Sequence, residues 1–442
     1  MRLTTERIAL IITLSISLII GVGFSAATPV FPYLVLALKG ILKQIPELTT
    51  GTIAAHEGAV EFGALMAAFM VTRAPIAAFS GTLSDILGRK NMIVLGMALY
   101  TLTSLGMILV NDVLSLILLR ALTGIASGIT WPVAEAYLAD VTNPSNRGKA
   151  LSLYVMTQNF GDIIGPGIGA AVYKLYIQIA GPSDYLFALK SPFLIMALLS
   201  FISTGLAFML PKIEFTSAVK TLRAGFKEIA RILKELPSEI SRSIKTIYVN
   251  GVANGIAMGV MNTALIVYIV EKVIKDPAII GSLLFIMGVA GLPITMISGY
   301  LSDRFSRRKP FILFSYIISR PAIFLVPFIT DWIGILLTML VFTTSFSMGM
   351  PLMRTLQAEL VGPEVRGTIF GLQQLFFNTG MMVGAMLGSY LVAIYAPHEI
   401  KLLGFRLTGY IVPFWFSGAI MVATTVLFAL YVIEVGVKAS QT

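Results

Sequence analysis

The sequence predicts an all-α integral membrane protein: twelve transmembrane helices built as two pseudo-symmetric six-helix bundles. Three observations carry this. Of 442 residues, 57% are hydrophobic and only 12% charged, about half the charge of a soluble domain, and the mean hydropathy is +0.88. Twelve apolar stretches reach the length of about 20 residues that crossing a bilayer requires. The second six then repeat features of the first. A water-soluble chain of this size could not hide so much apolar surface, and a disordered chain has the opposite composition.

The first six spans fall at 8–37, 58–84, 91–110, 113–139, 148–173 and 186–210. The second six fall at 246–270, 278–302, 310–330, 332–358, 367–395 and 408–433. The first stretch is too long for a signal-peptide core and has a counterpart in the second half. The expected organisation is therefore a bundle at 1–211, a basic linker at 212–245 and a bundle at 246–442. Within the linker, Val219, Leu222, Phe226, Ile229, Leu233 and Leu236 step by three and four. That spacing gives one apolar helical face opposite basic residues: either a helix on the membrane surface or a solvated linker with partial helicity.

Charge placement gives the orientation. With the N-terminus inside, the inner segments hold 20 of the 32 Lys/Arg and the outer segments 8. This bias places both termini in the cytoplasm and accounts for the net charge of +10 without nucleic acid. There is no cysteine, and His56 and His398 lie far apart. Disulfides, thiolate chemistry and Cys- or His-based metal sites are thus excluded.

The repeat is explicit. Ser80-Gly-Thr-Leu-Ser-Asp85 matches Ser298-Gly-Tyr-Leu-Ser-Asp303 at an offset of 218, each followed by basic residues. At an offset of 219, Pro132 aligns with Pro351, Asp140 with Glu359, Arg147-Gly148 with Arg366-Gly367, and Gly161, Gly165 and Gly169 with Gly380, Gly384 and Gly388. An even number of spans per unit makes the repeats parallel, an architecture of transporters with a midplane site.

These residues resemble the major facilitator superfamily along the whole chain. Gly81 to Lys90 resembles its motif between helices 2 and 3, echoed from Gly299 to Arg308. Arg120 with Gly124 and Gly128 resembles the helix-4 arginine motif. Gly161, Gly165, Pro166 and Gly169 resemble the helix-5 motif associated with antiporters. Gly23 to Pro29 with Pro32 and Tyr33 resembles helix 1 of the twelve-helix drug/proton antiporters. The chain departs from the pattern at Ile86, Ser306 and Ala170, and its helix 1 lacks an acidic residue.

The resemblance implies a latch at the cytoplasmic surface. Asp85 is expected to meet the start of helix 11, and Asp303 the start of helix 5. Arg89 is expected to pair with Asp140, and Arg307 with Glu359. Gly81 and Gly299 are expected to permit close helix approach. The alternative is topogenic charge alone. The helix-5 stripe of Gly161, Gly165, Pro166 and Gly169 suits either a moving interface between the halves or ordinary packing.

Charges inside spans are costly and mark function. Arg120 and Glu135 share one polar face of span 4, about 22 Å apart along the helix. Glu135 aligns with Arg354, which suggests an inner gate pair; the alternative is a partner within each half. Asp162 lies about 21 Å into span 5. Asp162 and Glu135 are the candidate proton carriers, and a permanent ion pair of Asp162 with Arg120 or Arg73 is the alternative. Phe24, Thr28, Phe31, Arg73, Arg120, Gln158, Asn254, Met258 and Asn378 are candidate cavity residues. Arg320 fits a structural or snorkelling role.

The expected function is secondary active export of small amphiphilic molecules by alternating access, coupled to protons, from a monomer in the cell membrane. Transport of an organic anion or lipid and a non-transporting sensor are the alternatives. An enzyme is not expected. No cofactor or metal is called for, and no phosphate loop supports ATP-driven pumping.

Overall fold

The computed structural model describes residues 2–143, 146–212, 237–305, 307–362, 366–402 and 404–434. The amphipathic pattern read at 219–236 lies outside them. The described helices are α1 Arg2–Ala26, α2 Phe31–Leu38, α3 Ala59–Leu87, α4 Arg89–Leu109, α5 Val113–Val141, α6 Arg147–Ala180 and α7 Tyr185–Phe208. They continue as α8 Ser238–Tyr268, α9 Pro277–Phe305, α10 Lys309–Leu325, α11 Trp332–Leu360, α12 Arg366–Tyr395 and α13 Ile411–Tyr431. All but α2 are long and apolar enough to cross a membrane, which gives twelve spans among the described residues.

Sequence chemistry explains the ends. Asp112, Asp184 and Asp331 cap α5, α7 and α11 by accepting the backbone N–H of Ser115, Phe187 and Gly334, which satisfies donors that a helix start leaves open. The first expected span, 8–37, is broken. Pro29 and Pro32 supply no N–H, so α1 stops at Ala26 and the chain turns before α2. Interior prolines persist in seven of the long helices, among them Pro132 in α5 and its repeat Pro351 in α11.

The chain divides into two compact units. Unit 1 is Met1–Val219 with Ile274–Phe285; unit 2 is Lys220–Val273 with Ile286–Thr442. In unit 1, α1 packs on α6 and α7, α3 on α5, and α4 on α5 and α7. In unit 2, α8 packs on α12 and α13, and α10 on α11 and α13. Apart from α3 on α5, these pairings of unit 1 recur at the repeat-related helices of unit 2. A core around Ile247, Ile312, Leu356 and Phe428 ties α8, α10, α11 and α13 together.

Two boundaries differ from expectation. The helix expected from 246 begins at Ser238, directly after Pro237 and with Glu239 in its first turn, where an acid suits the helix dipole. The segment 274–285, expected in the second bundle, belongs to unit 1. Lys174 binds Asp276 at 2.6 Å, Lys275 donates to the Thr49 carbonyl at 2.7 Å, and the Tyr33 hydroxyl donates to the Ile274 carbonyl at 3.1 Å. One small departure from all-α structure is a hairpin, β1 Glu399–Leu402 with β2 Phe405–Thr408, turned by Gly404 at φ +86°.

Candidate functional site

The helix-5 glycines show how the bundle is closed. A Cβ at Gly161, Gly165 or Gly169 would collide with the backbone of α1 around Leu18, Val22 and Ala26. In unit 2, Gly380, Gly384 and Gly388 meet Val252, Ile256 and Val260 of α8 in the same way. The glycines of the stripe therefore serve close packing inside each unit. The other side of the motif carries Pro166, whose carbonyl, with Ala170, lies against Gly281 of α9. Gly124 and Gly128 likewise bring α5 onto α3 at Phe69, Thr72 and Arg73.

That approach builds an aromatic cage. Arg120 is 5% exposed, and its guanidinium carbon stands over the rings of Phe24, Phe31 and Phe69 at 4.5, 4.8 and 4.8 Å. Each such contact offsets part of the cost of burying the charge, by up to about 2 kcal/mol. Phe31 is held in turn by Phe193, with ring centres 5.5 Å apart. Arg73 stands over the outer side of Phe69 at 5.7 Å. Thr28, in the turn between α1 and α2, and Gln158 on α6 are half-buried.

Asp162 is exposed near the middle of α6. The helix runs to Ala180, seven residues beyond the expected span, so Asp162 lies near the middle of the helix. Arg73 is the cation whose charge acts on it. Glu135, exposed on α5, acts on the hydroxyl of Tyr154, which donates to the Trp131 carbonyl at 3.4 Å. Sequence reading missed Phe69 and Tyr154; the spacing of four between Phe69 and Arg73 was the available signal for the first.

In unit 2, Asn254 is 9% exposed and fully engaged. Its amide donates to the Asn250 carbonyl at 2.9 Å. Its oxygen accepts from Thr424 at 3.2 Å and from Arg320 at 3.3 Å. Asn254 thus ties α8 to α10 and α13 through its amide. Arg320 also stands over Tyr316 at 4.2 Å, a buried structural role without snorkelling. Met258 is half-buried, as is Asn378, which accepts from Gln374 at 3.1 Å. Arg354 is exposed.

The expected latch groups form two clusters. Arg89 bridges Asp140 and, at 3.1 Å, Asp85, and donates to Ser84 at 3.3 Å. Gly88 sits between α3 and α4 at φ +87°, a conformation that favours glycine. In unit 2 the cation is Arg308, not Arg307. Arg308 reaches Glu359 at 3.0 Å and Asp303 at 2.7 Å, and donates to Ser302 at 2.7 Å. Arg307 is exposed. Arg308 lies five positions after Asp303 where Arg89 lies four after Asp85, so the cation follows the 219 offset of Glu359 and not the 218 offset of Asp303. Burial pulls the Arg308 guanidinium down, and hydrogen bonds to Glu359 and Asp303 outweigh it, so it ends above the usual arginine value. Gly81 and Gly299 meet nothing within 4 Å.

The sequence model of the Major Facilitator Superfamily matches residues 12–242 and 247–441. The chain belongs to this superfamily. Multidrug resistance protein 1 of Bacillus subtilis (strain 168) is 25% identical over 371 residues, 82% of this chain and 88% of that protein. Quinolone resistance protein NorA of Staphylococcus aureus (strain COL) is 23% identical over 357 residues, 80% of this chain and 86% of that protein. Among solved structures, the inward-open xylose transporter XylE from E. coli shares the fold, with a TM-score of 0.65 and 18% identity over 97% of this chain and 98% of that one. As a superfamily member the chain is a multi-pass membrane transporter of small molecules, not an enzyme.

Proposed function

We propose that this transporter exports small amphiphilic molecules by alternating access, driven by a proton gradient. It works as a monomer in the cell membrane with both termini cytoplasmic. One observation carries the reading: a carboxylate, Asp162, is exposed near the middle of a membrane-crossing helix, with the Arg73 cation acting on it. An intramembrane acid is functional by default, and exposure there lets it exchange protons. Glu135 is the second carrier. The relatives named for multidrug and quinolone resistance support the export direction. The excess of Lys/Arg in alternate connections supports the orientation. Phe24, Thr28, Phe31, Arg73, Arg120 and Gln158 supply the substrate surface of unit 1, and Met258 and Asn378 that of unit 2. The Arg89 and Arg308 clusters hold the cytoplasmic ends closed.

The test is export of N-phenyl-1-naphthylamine, an uncharged fluorescent amphiphile, from loaded cells. Cells expressing the protein export it faster than vector controls, and a protonophore removes the difference. Asp162→Asn abolishes the gain and Asp162→Glu retains part of it. Export that survives both the protonophore and Asp162→Asn would overturn the reading.

A further inference from the structure

Arg120 is a buried cation with no carboxylate. No ion pair or hydrogen bond joins it to another described residue, and its Nε and Nη1 are buried without an acceptor. Three phenyl rings cover it, but rings interact with the face of a guanidinium. Its hydrogen-bonding capacity is directed in the plane, as a fork that matches a carboxylate.

The acids of unit 1 are committed elsewhere: Arg73 is the cation acting on Asp162, and Glu135 has a partner of its own. Arg320 gives the contrast. It is 3% exposed and also stands over a ring, yet it donates from both terminal nitrogens, to Ser319 at 3.0 Å and to Asn254 at 3.3 Å. Protein groups engage both terminal nitrogens of Arg320 and leave its Nε without an acceptor; at Arg120 no acceptor among the described residues is engaged, and Nε and Nη1 are both buried without one.

We infer that Arg120 receives the anionic group of the substrate, a carboxylate lying in the guanidinium plane, while Phe24, Phe31 and Phe69 take the apolar body. The substrate class is therefore an amphiphile with one carboxylate. The inference rests on the exporter reading for its claim that the bound molecule is cargo.

The test uses the purified full-length protein in detergent and three probes of one shape: 1-naphthoate, 1-naphthalenemethanol and 1-naphthylmethylamine, titrated calorimetrically. The wild type binds naphthoate at least tenfold more tightly than the alcohol, and the amine most weakly. Arg120→Gln removes the preference, Arg120→Lys restores part of it, and Arg320→Gln leaves it unchanged. Equal affinity for naphthoate and the alcohol in the wild type would overturn the inference, even if Arg120→Gln does not fold. So would a preference that survives Arg120→Gln. Preferential naphthoate binding without transport would leave the anion site standing and remove the exporter reading. Transport of the neutral probe without any anion preference would do the reverse.

Discussion

Arg308 shows how much one residue of register matters. The cation that reaches Glu359 lies one position after the residue that the first motif alone selects. Replacing Arg308 by Gln removes charged hydrogen bonds to Glu359 and Asp303 and should cost about 1.5–3 kcal/mol. Arg307→Gln, at an exposed position, should stay within about 0.5 kcal/mol. Thermal unfolding of the two variants in the same detergent checks this, and equal losses would reject the assignment. The arginine is raised above its free value in the folded protein, so its contribution is complete below the ordinary arginine value and is lost only at more alkaline pH. The arginine's side of the pair therefore stays constant through neutral pH. The second offset, 219, already pointed to Arg308; the sequence carried the signal in the second block and not in the first. Asn254 is the converse case. Its polarity was plain in the sequence, but only the positions of Arg320 and Thr424 reveal that it is already satisfied.

At the scale of elements, close packing of α1 on α6 depends on glycines that leave no room for a side chain. Gly165→Leu must push against the Val22 carbonyl and Ser25, and backbone cannot yield as a flexible side chain does. The expected loss is at least about 1–3 kcal/mol, read as a lowered melting temperature and reduced yield of folded protein. Gly81→Ala meets open space and should change stability by less than about 0.5 kcal/mol. The reverse order would contradict the packing assignment. The helix positions were legible because a bilayer demands a long apolar run. Breaks and extensions were less so. Pro29 and Pro32 end α1 early, but mean hydropathy does not register a missing N–H. Lys174 and Gln178 interrupt the apolar run, yet α6 continues through them to the turn at Gly181. The pairing of Lys174 with both Glu47 and Asp276, at 2.8 and 2.6 Å, joins residues more than a hundred positions apart. No local pattern announces it.

For the whole molecule, the duplication supplied most of the architecture: two repeats at nearly one offset, and in the structure two units whose helix pairings match apart from α3 on α5. The charges that composition reports as a small fraction divide into three kinds. Most set topology, two clusters bind helix ends, and a few lie within spans. The last kind bears the proposed role of Asp162 as proton carrier. Asp162→Asn should therefore separate binding from coupling: affinity for the preferred naphthalene probe changes less than about threefold, while gradient-driven accumulation falls to the level of liposomes without protein. Loss of both together would assign Asp162 to binding instead.

The most direct test is substrate-driven proton movement in proteoliposomes loaded with a pH-sensitive dye. Addition of a bound naphthalene probe should shift the internal pH in protein-containing vesicles, in the direction of proton exchange against the probe. The shift should be absent from empty vesicles and from vesicles holding Asp162→Asn. Probe accumulation with no pH change beyond that of empty vesicles would contradict proton-coupled export.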